Sequence, residues 1–213
     1  FIEVAREFQD LIGVKNYNHD SEKILNVLDS ISILDSYQLL CHSHKMKEYS
    51  SGDNSFLYVS KKDCEDSNRD FDEISHIWER INVENNEMGV WQLYLLMNTI
   101  HVMEYFWHGG YHRRSYVYTL NDAYSLPEFI NRKSPLNNLD LKLLYDRGLI
   151  LPSINFERVD DVNSSATVDC TYWTYWGGLI RERISMKLKG NQILSYERIG
   201  QTTLFKYDCG IFF

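Results

Sequence analysis

The chain has 213 residues, 44% hydrophobic and 24% charged, which supports a sizeable core and argues against disorder. Only 3 Pro and 11 Gly rule out collagen-like or linker-like character. A formal net charge of −8 disfavours a broad grip on phosphate, so no nucleic-acid partner is expected.

In chain order, Phe1, Val4, Phe8 and Leu11 recur at helical spacing, and Gly13 is a natural stop. A second helix is predicted over 21–34, capped by Asp20 or Ser21, with Ile24, Leu25, Leu28 and Ile31 on one face. Residues 37–43 and 56–60 alternate like strands, and the turn-forming run 50–54 between them suggests a hairpin. A helix is predicted over 71–81. The stretch 87–107 is apolar around most of its circumference, the pattern of a helix buried on several sides. A strand is expected over 111–120. Ser125 and Glu128 then have capping-box spacing, and a further helix covers roughly 136–147 before Gly148. Residues 155–166 read as an exposed loop or weak boundary. From about 167 the period changes to two, with strands near 167–176, 179–188, 192–199 and 202–208.

These elements give an α+β fold: N-terminal helices and a β-hairpin, a buried central helix, and a C-terminal antiparallel meander of about four strands. The expectation is a single domain over 1–213, with 1–154 mainly helical and 155–213 forming the sheet. No apolar run approaches the length of about 20 residues that spans a bilayer. Cys41, Cys64, Cys170 and Cys209 have no C-x-x-C spacing and are expected to be reduced, mostly buried thiols. A cytoplasmic location is expected, although a start at Phe1 leaves room for a removed signal peptide.

Charge is unevenly distributed. Residues 1–106 carry 19 Asp/Glu against 9 Lys/Arg, and residues 107–213 carry 11 against 13. A basic partner would be steered towards the first half, and most strongly towards Asp63, Glu65, Asp66, Asp70, Asp72 and Glu73. Solubility alone, or helix capping by part of the run, also accounts for such a cluster. Trp107, Tyr111, Arg113 and Arg114 have the aromatic-plus-arginine composition of a binding hot spot, although the arginines could equally pair with the acidic half. Tyr172, Trp173, Tyr175 and Trp176 crowd one strand end. Two of the four must face away from the core unless both faces are covered, so Trp173 and Trp176 join the candidate contact residues.

Two features bear on catalysis. His101, Glu104 and His108 sit at i, i+3 and i+7 of the central helix, with His112 just beyond. Such residues can ligate zinc or iron, but H-E-x-x-H spacing is absent and a polar stripe explains them more simply. Glu182 interrupts an apolar alternation of Ile180, Ile184, Met186 and Leu188. A lone carboxylate on a core face must be paired, protonated or turned into a pocket; pairing with an arginine is the simpler reading and acid–base catalysis the sharper one. No nucleophile elbow, phosphate loop or dinucleotide fingerprint is present.

The leading expectation is therefore a non-enzymatic, cofactor-free protein-binding protein, of immunity or antitoxin type, for a partner with a basic surface. A second reading is a metal-dependent hydrolase built on His101, Glu104, His108 and His112, assisted by Glu182 or Arg113. A third is an extracytoplasmic carbohydrate- or ligand-binding domain that uses the tryptophans.

Overall fold

The structure, a computed structural model, describes residues 1–13, 21–44, 54–62, 77–103, 114–129, 138–174 and 177–207. Helices α1 (Ile2–Gly13) and α2 (Ser21–Val27) precede strand β1 (Ile31–Ile33) and the hairpin of β2 (Tyr37–His44) and β3 (Asn54–Lys61). After β4 (Ile81–Val83) comes the central helix α3 (Glu87–Met103). Strand β5 (Ser115–Val117) leads to helices α4 (Leu120–Phe129) and α5 (Asn138–Asp146). The chain ends in β6 (Ser153–Arg158), β7 (Asn163–Thr174), β8 (Gly178–Lys189) and β9 (Gln192–Phe205). Among the described residues the main sheet runs β1-β4-β9-β8-β7-β5, with β6 also on β7; β2 and β3 pair apart from it. All its pairings are antiparallel, which makes this an α+β fold with a C-terminal meander. No described helix is long and apolar enough to cross a membrane.

Helix α3 positions everything else. Every residue from Val90 to Met97 is buried, because the helix lies on one face of the sheet and is covered by the N-terminal elements. Gln92, a fully buried amide on this helix, is satisfied on both sides. Its Oε1 accepts from the Ser30 N–H at 2.7 Å, and Nε2 donates to Asp29 Oδ1 at 2.8 Å. These bonds fix the turn after α2. They also explain why the helix predicted over 21–34 stops at Val27, leaving β-branched Ile31 and Ile33 to pair with β4.

A second core sits on the opposite face of the sheet, at the β5–β7–β8 end. Val117, Trp173 and Leu179 pack there against Ala123 and Leu126 of α4, Leu141 of α5 and Ile150. Helix α4 starts earlier than the Ser125/Glu128 spacing suggests. Its cap is reciprocal: Thr119 N–H donates to Asp122 Oδ2 at 2.7 Å, and Asp122 N–H donates to Thr119 Oγ1 at 3.2 Å. The strand expected over 111–120 accordingly ends at Val117.

Other expectations also change. Most of the helix predicted over 71–81 lies outside the described residues; 77–80 form a 3₁₀ turn, and Ile81 begins a strand. The segment 155–166 is largely a hairpin rather than a loop. Ile154 and Phe156 point into the main core, opposite Val168 and Ala166, and Asp160 holds the tight turn by accepting from the Val162 and Asn163 N–H groups. The two last strands are one. Strand β9 runs through Gly200 unbroken, and against β8 it carries an extra residue at Leu194, Ile199 and Leu204. Beyond the single Asn82–Gln192 pairing, the far edge of β9 has no strand partner among the described residues. Bulges along an edge twist it away from intermolecular pairing, so the strand is guarded against sheet extension.

Candidate functional site

The sequence singles out Glu182, and the structure surrounds it with polar groups. It lies on the α3 face of β8, directly opposite Cys170 of β7, and is 1% exposed. Its Oε1 accepts from the Tyr94 hydroxyl of α3 at 2.9 Å and from Arg114 Nη1 at 2.5 Å. The same Nη1 reaches Asn98 Oδ1 at 2.6 Å, and Asn98 in turn donates to the Tyr94 carbonyl at 3.0 Å. Tyr94 and Asn98 are i and i+4 on α3, so one helix face supplies both contacts. The Arg114 guanidinium also lies 4.2 Å from the centre of the Tyr172 ring.

Aromatic rings enclose this pair. Tyr116 packs edge-on to Tyr94 and to Tyr172, each at 6.1 Å, and stacks on Tyr118 at 5.9 Å. Trp91 stacks on Tyr94 at 5.4 Å. Burial disfavours the Arg114 charge, but the Tyr116, Glu182, Tyr172 and Tyr94 oxygens outweigh it and hold its pKa above the ordinary value. Burial is also the largest cause of the upward shifts in Tyr94, Tyr116, Tyr118 and Tyr196. It pushes Tyr172 and the free Cys170 thiol up to about 12. A thiol raised this far is a packing group, not a nucleophile.

These shifts have a consequence for pH. Each group binds its proton more tightly in the folded chain than in the unfolded one. The stability it contributes is complete below its unfolded pKa, about 9 for a thiol and 10 for a phenol, and is lost as pH rises towards the folded value. Stability is therefore expected to fall steeply from about pH 9 upward, with the phenolate absorbance of these enclosed tyrosines appearing only on unfolding. Equilibrium urea titrations between pH 7 and 11 check this. A flat profile to pH 11 would mean that the phenols are not sealed in.

Among the sequence-derived candidates, the structure brings Arg114 and Glu182 together. They lie 68 residues apart in the chain, and their pairing is the simpler of the two readings of Glu182. The remaining groups around the pair, Tyr94, Asn98 and Tyr116, carry no sequence signal beyond being polar groups at buried positions. Trp173 is not a surface contact. It is 2% exposed in the second core, stacked near Phe205 and Tyr207, because both faces of that sheet end are covered. His101 belongs to α3, whereas Glu104, His108 and His112 lie outside the described residues. So do Asp63, Glu65, Asp66, Asp70, Asp72, Glu73, Trp107, Tyr111, Arg113 and Trp176.

Chemically, the arrangement ties α3 to the β5–β7–β8 end of the sheet through one neutralised carboxylate. An acid–base role would need a substrate proton within reach, and both Glu182 and Tyr94 are enclosed by the core. Compared with known protein families, curated proteins and solved structures, the chain matches none.

Proposed function

We propose that the chain is a non-enzymatic protein-binding protein, an inhibitor of immunity or antitoxin type, whose partner presents a basic surface. One observation carries this reading. All nine carboxylates among the described residues of 1–106 are exposed, against four exposed Lys or Arg. Glu3, Glu7 and Asp10 on α1 and Glu84 and Glu87 before and at the start of α3 are among them. The acidic excess is thus displayed to solvent, where it can steer a cationic partner. Glu182, by contrast, spends its charge on Arg114 inside the core, which favours a structural role over a catalytic one.

The acidic run that starts at Asp63 would supply the densest part of the contact. Reversing Asp63, Glu65, Asp66, Asp70, Asp72 and Glu73 to lysine is expected to weaken the complex at least tenfold and to flatten its salt dependence. The check is affinity capture at low salt from lysate of the source organism with wild-type and reversed chains, followed by binding titrations on the recovered partner. A stoichiometric basic protein that binds both chains equally would show that this segment takes no part. Recovery of no specific partner would count against the whole reading.

A further inference from the structure

The two cores lie on opposite faces of the sheet and share no buried residue. The one built on Trp173 is the smaller. Its outer wall is a cap made of α4, α5 and the connection 147–152, from which Ala123, Leu126, Leu141 and Ile150 cover Val117, Trp173 and Leu179 of the sheet. Among the described residues, polar ties between this cap and the sheet converge on Arg181. From the same face of β8 as Leu179, its Nη1 donates to the carbonyls of Leu149 at 2.8 Å and Leu151 at 3.0 Å. Thr171, its register partner on β7, donates to the same Leu149 carbonyl at 2.7 Å. Asp169 Oδ2 lies 3.9 Å from Arg181 Nη2, and that carboxylate is itself clasped by Arg183 Nε and Nη2 at 2.8 and 2.9 Å. Arg181 is thus anchored on the sheet, and the cap is fastened to it through two backbone carbonyls.

Two further features weaken the closed cap. Arg6 of α1 reaches Asp122 of α4 at 3.2 Å, but both side chains are open to solvent, where such a pair contributes little. Trp173 Nε1 is buried under the cap without a hydrogen-bond partner among the described residues, which costs the closed state free energy. Regions with a small apolar core and few polar anchors open locally at a lower free energy than the whole molecule unfolds. We infer that α4, α5 and the connection to β6 open from the sheet as one unit while the main core stays folded, and that Arg181 is the latch holding them closed. Opening uncovers Val117, Trp173 and Leu179, an apolar surface that the closed molecule hides.

Native-state hydrogen exchange of the full chain at low urea separates this opening from global unfolding. A substitution in the main core weakens the closed and cap-open states equally, so it speeds only those amides that need global unfolding to exchange. Ile184→Val, on the α3 face of β8, is therefore expected to speed the α3 amides several-fold and leave those of α4 and α5 unchanged. A substitution at the latch weakens the closed state alone. Arg181→Met keeps the aliphatic stem and is expected to speed the α4 and α5 amides together by roughly tenfold. Thr171→Val removes one bond to Leu149 at nearly constant shape and is expected to act in the same direction, by less. If Ile184→Val speeds the α4 and α5 amides as much as those of α3, the cap unfolds only with the whole molecule. If α4 and α5 respond differently from each other, they are not one unit. If neither latch variant speeds them, Arg181 does not hold the cap closed.

Discussion

Replacing Glu182 with alanine is expected to destabilise the protein by roughly 3–5 kcal/mol, because it strands the Arg114 charge in a largely buried position. For a chain of this length that corresponds to a fall in Tm of about 6–20 °C. Three favourable contacts disappear or weaken together: the ion pair, the Tyr94 hydroxyl bond and the alignment of Asn98 with the guanidinium. The comparison that gives the number meaning is the double variant Arg114→Met/Glu182→Leu. Removing both charges also removes the desolvation penalty, so the double variant is expected to recover most of the loss. Urea denaturation of the two single variants and the double variant completes the cycle. A Glu182→Ala cost below about 1 kcal/mol would mean that water reaches Arg114 readily and that the pair is in effect a surface one.

The pair also shows how far a sequence can be read. The apolar alternation of β8 placed Glu182 on the core face because period-two burial is a local property of one strand. Its partner was not local. Arg114 sits just before β5, which reaches β8 only through β7, and strand order is not written in any short window. Helix α3 was legible for the opposite reason: burial on every side leaves a continuous apolar run that needs no topology to interpret.

The misread segments share a cause. Ile31 fits both a helical stripe and a two-residue alternation, and a distant amide, Gln92, decides between them. Ile154 and Phe156 gave a strand signal only two residues deep, and the polar turn at 159–162 masked it. In β9 the residues Leu194 and Ile199 break the alternation because each is the extra residue of a bulge, so one long strand reads as two short ones. Trp173 was misplaced because a strand covered on both faces has no solvent side, and the helices that cover it come from elsewhere in the chain.

The β7–β8 turn shows the same dependence on distant backbone, and it yields the other large effect. Gly178 has φ +79°, a conformation that L side chains rarely adopt. A Cβ there would also clash with the Phe205 carbonyl oxygen and lie 2.7 Å from the Tyr207 nitrogen. Both are backbone atoms, so no side-chain rotation relieves the contact. Strand β9 cannot easily retreat either, since Leu179 pairs with Phe205, and the rings of Phe205 and Tyr207 lie on Trp173. Gly178→Ala is therefore expected to cost about 3 kcal/mol or more, combining left-handed backbone strain with overpacking. Gly148→Ala isolates the first contribution. Gly148 has a similar φ of +68° but nothing within 4 Å of its Cβ position, so its substitution should cost only about 1–2 kcal/mol. Thermal unfolding of the two variants, with Trp173 environment followed by near-ultraviolet circular dichroism, separates strain from clash. Equal costs and an unchanged aromatic signal would mean that β9 gives way at Phe205, and that the second core is not held against the turn as tightly as its contacts imply.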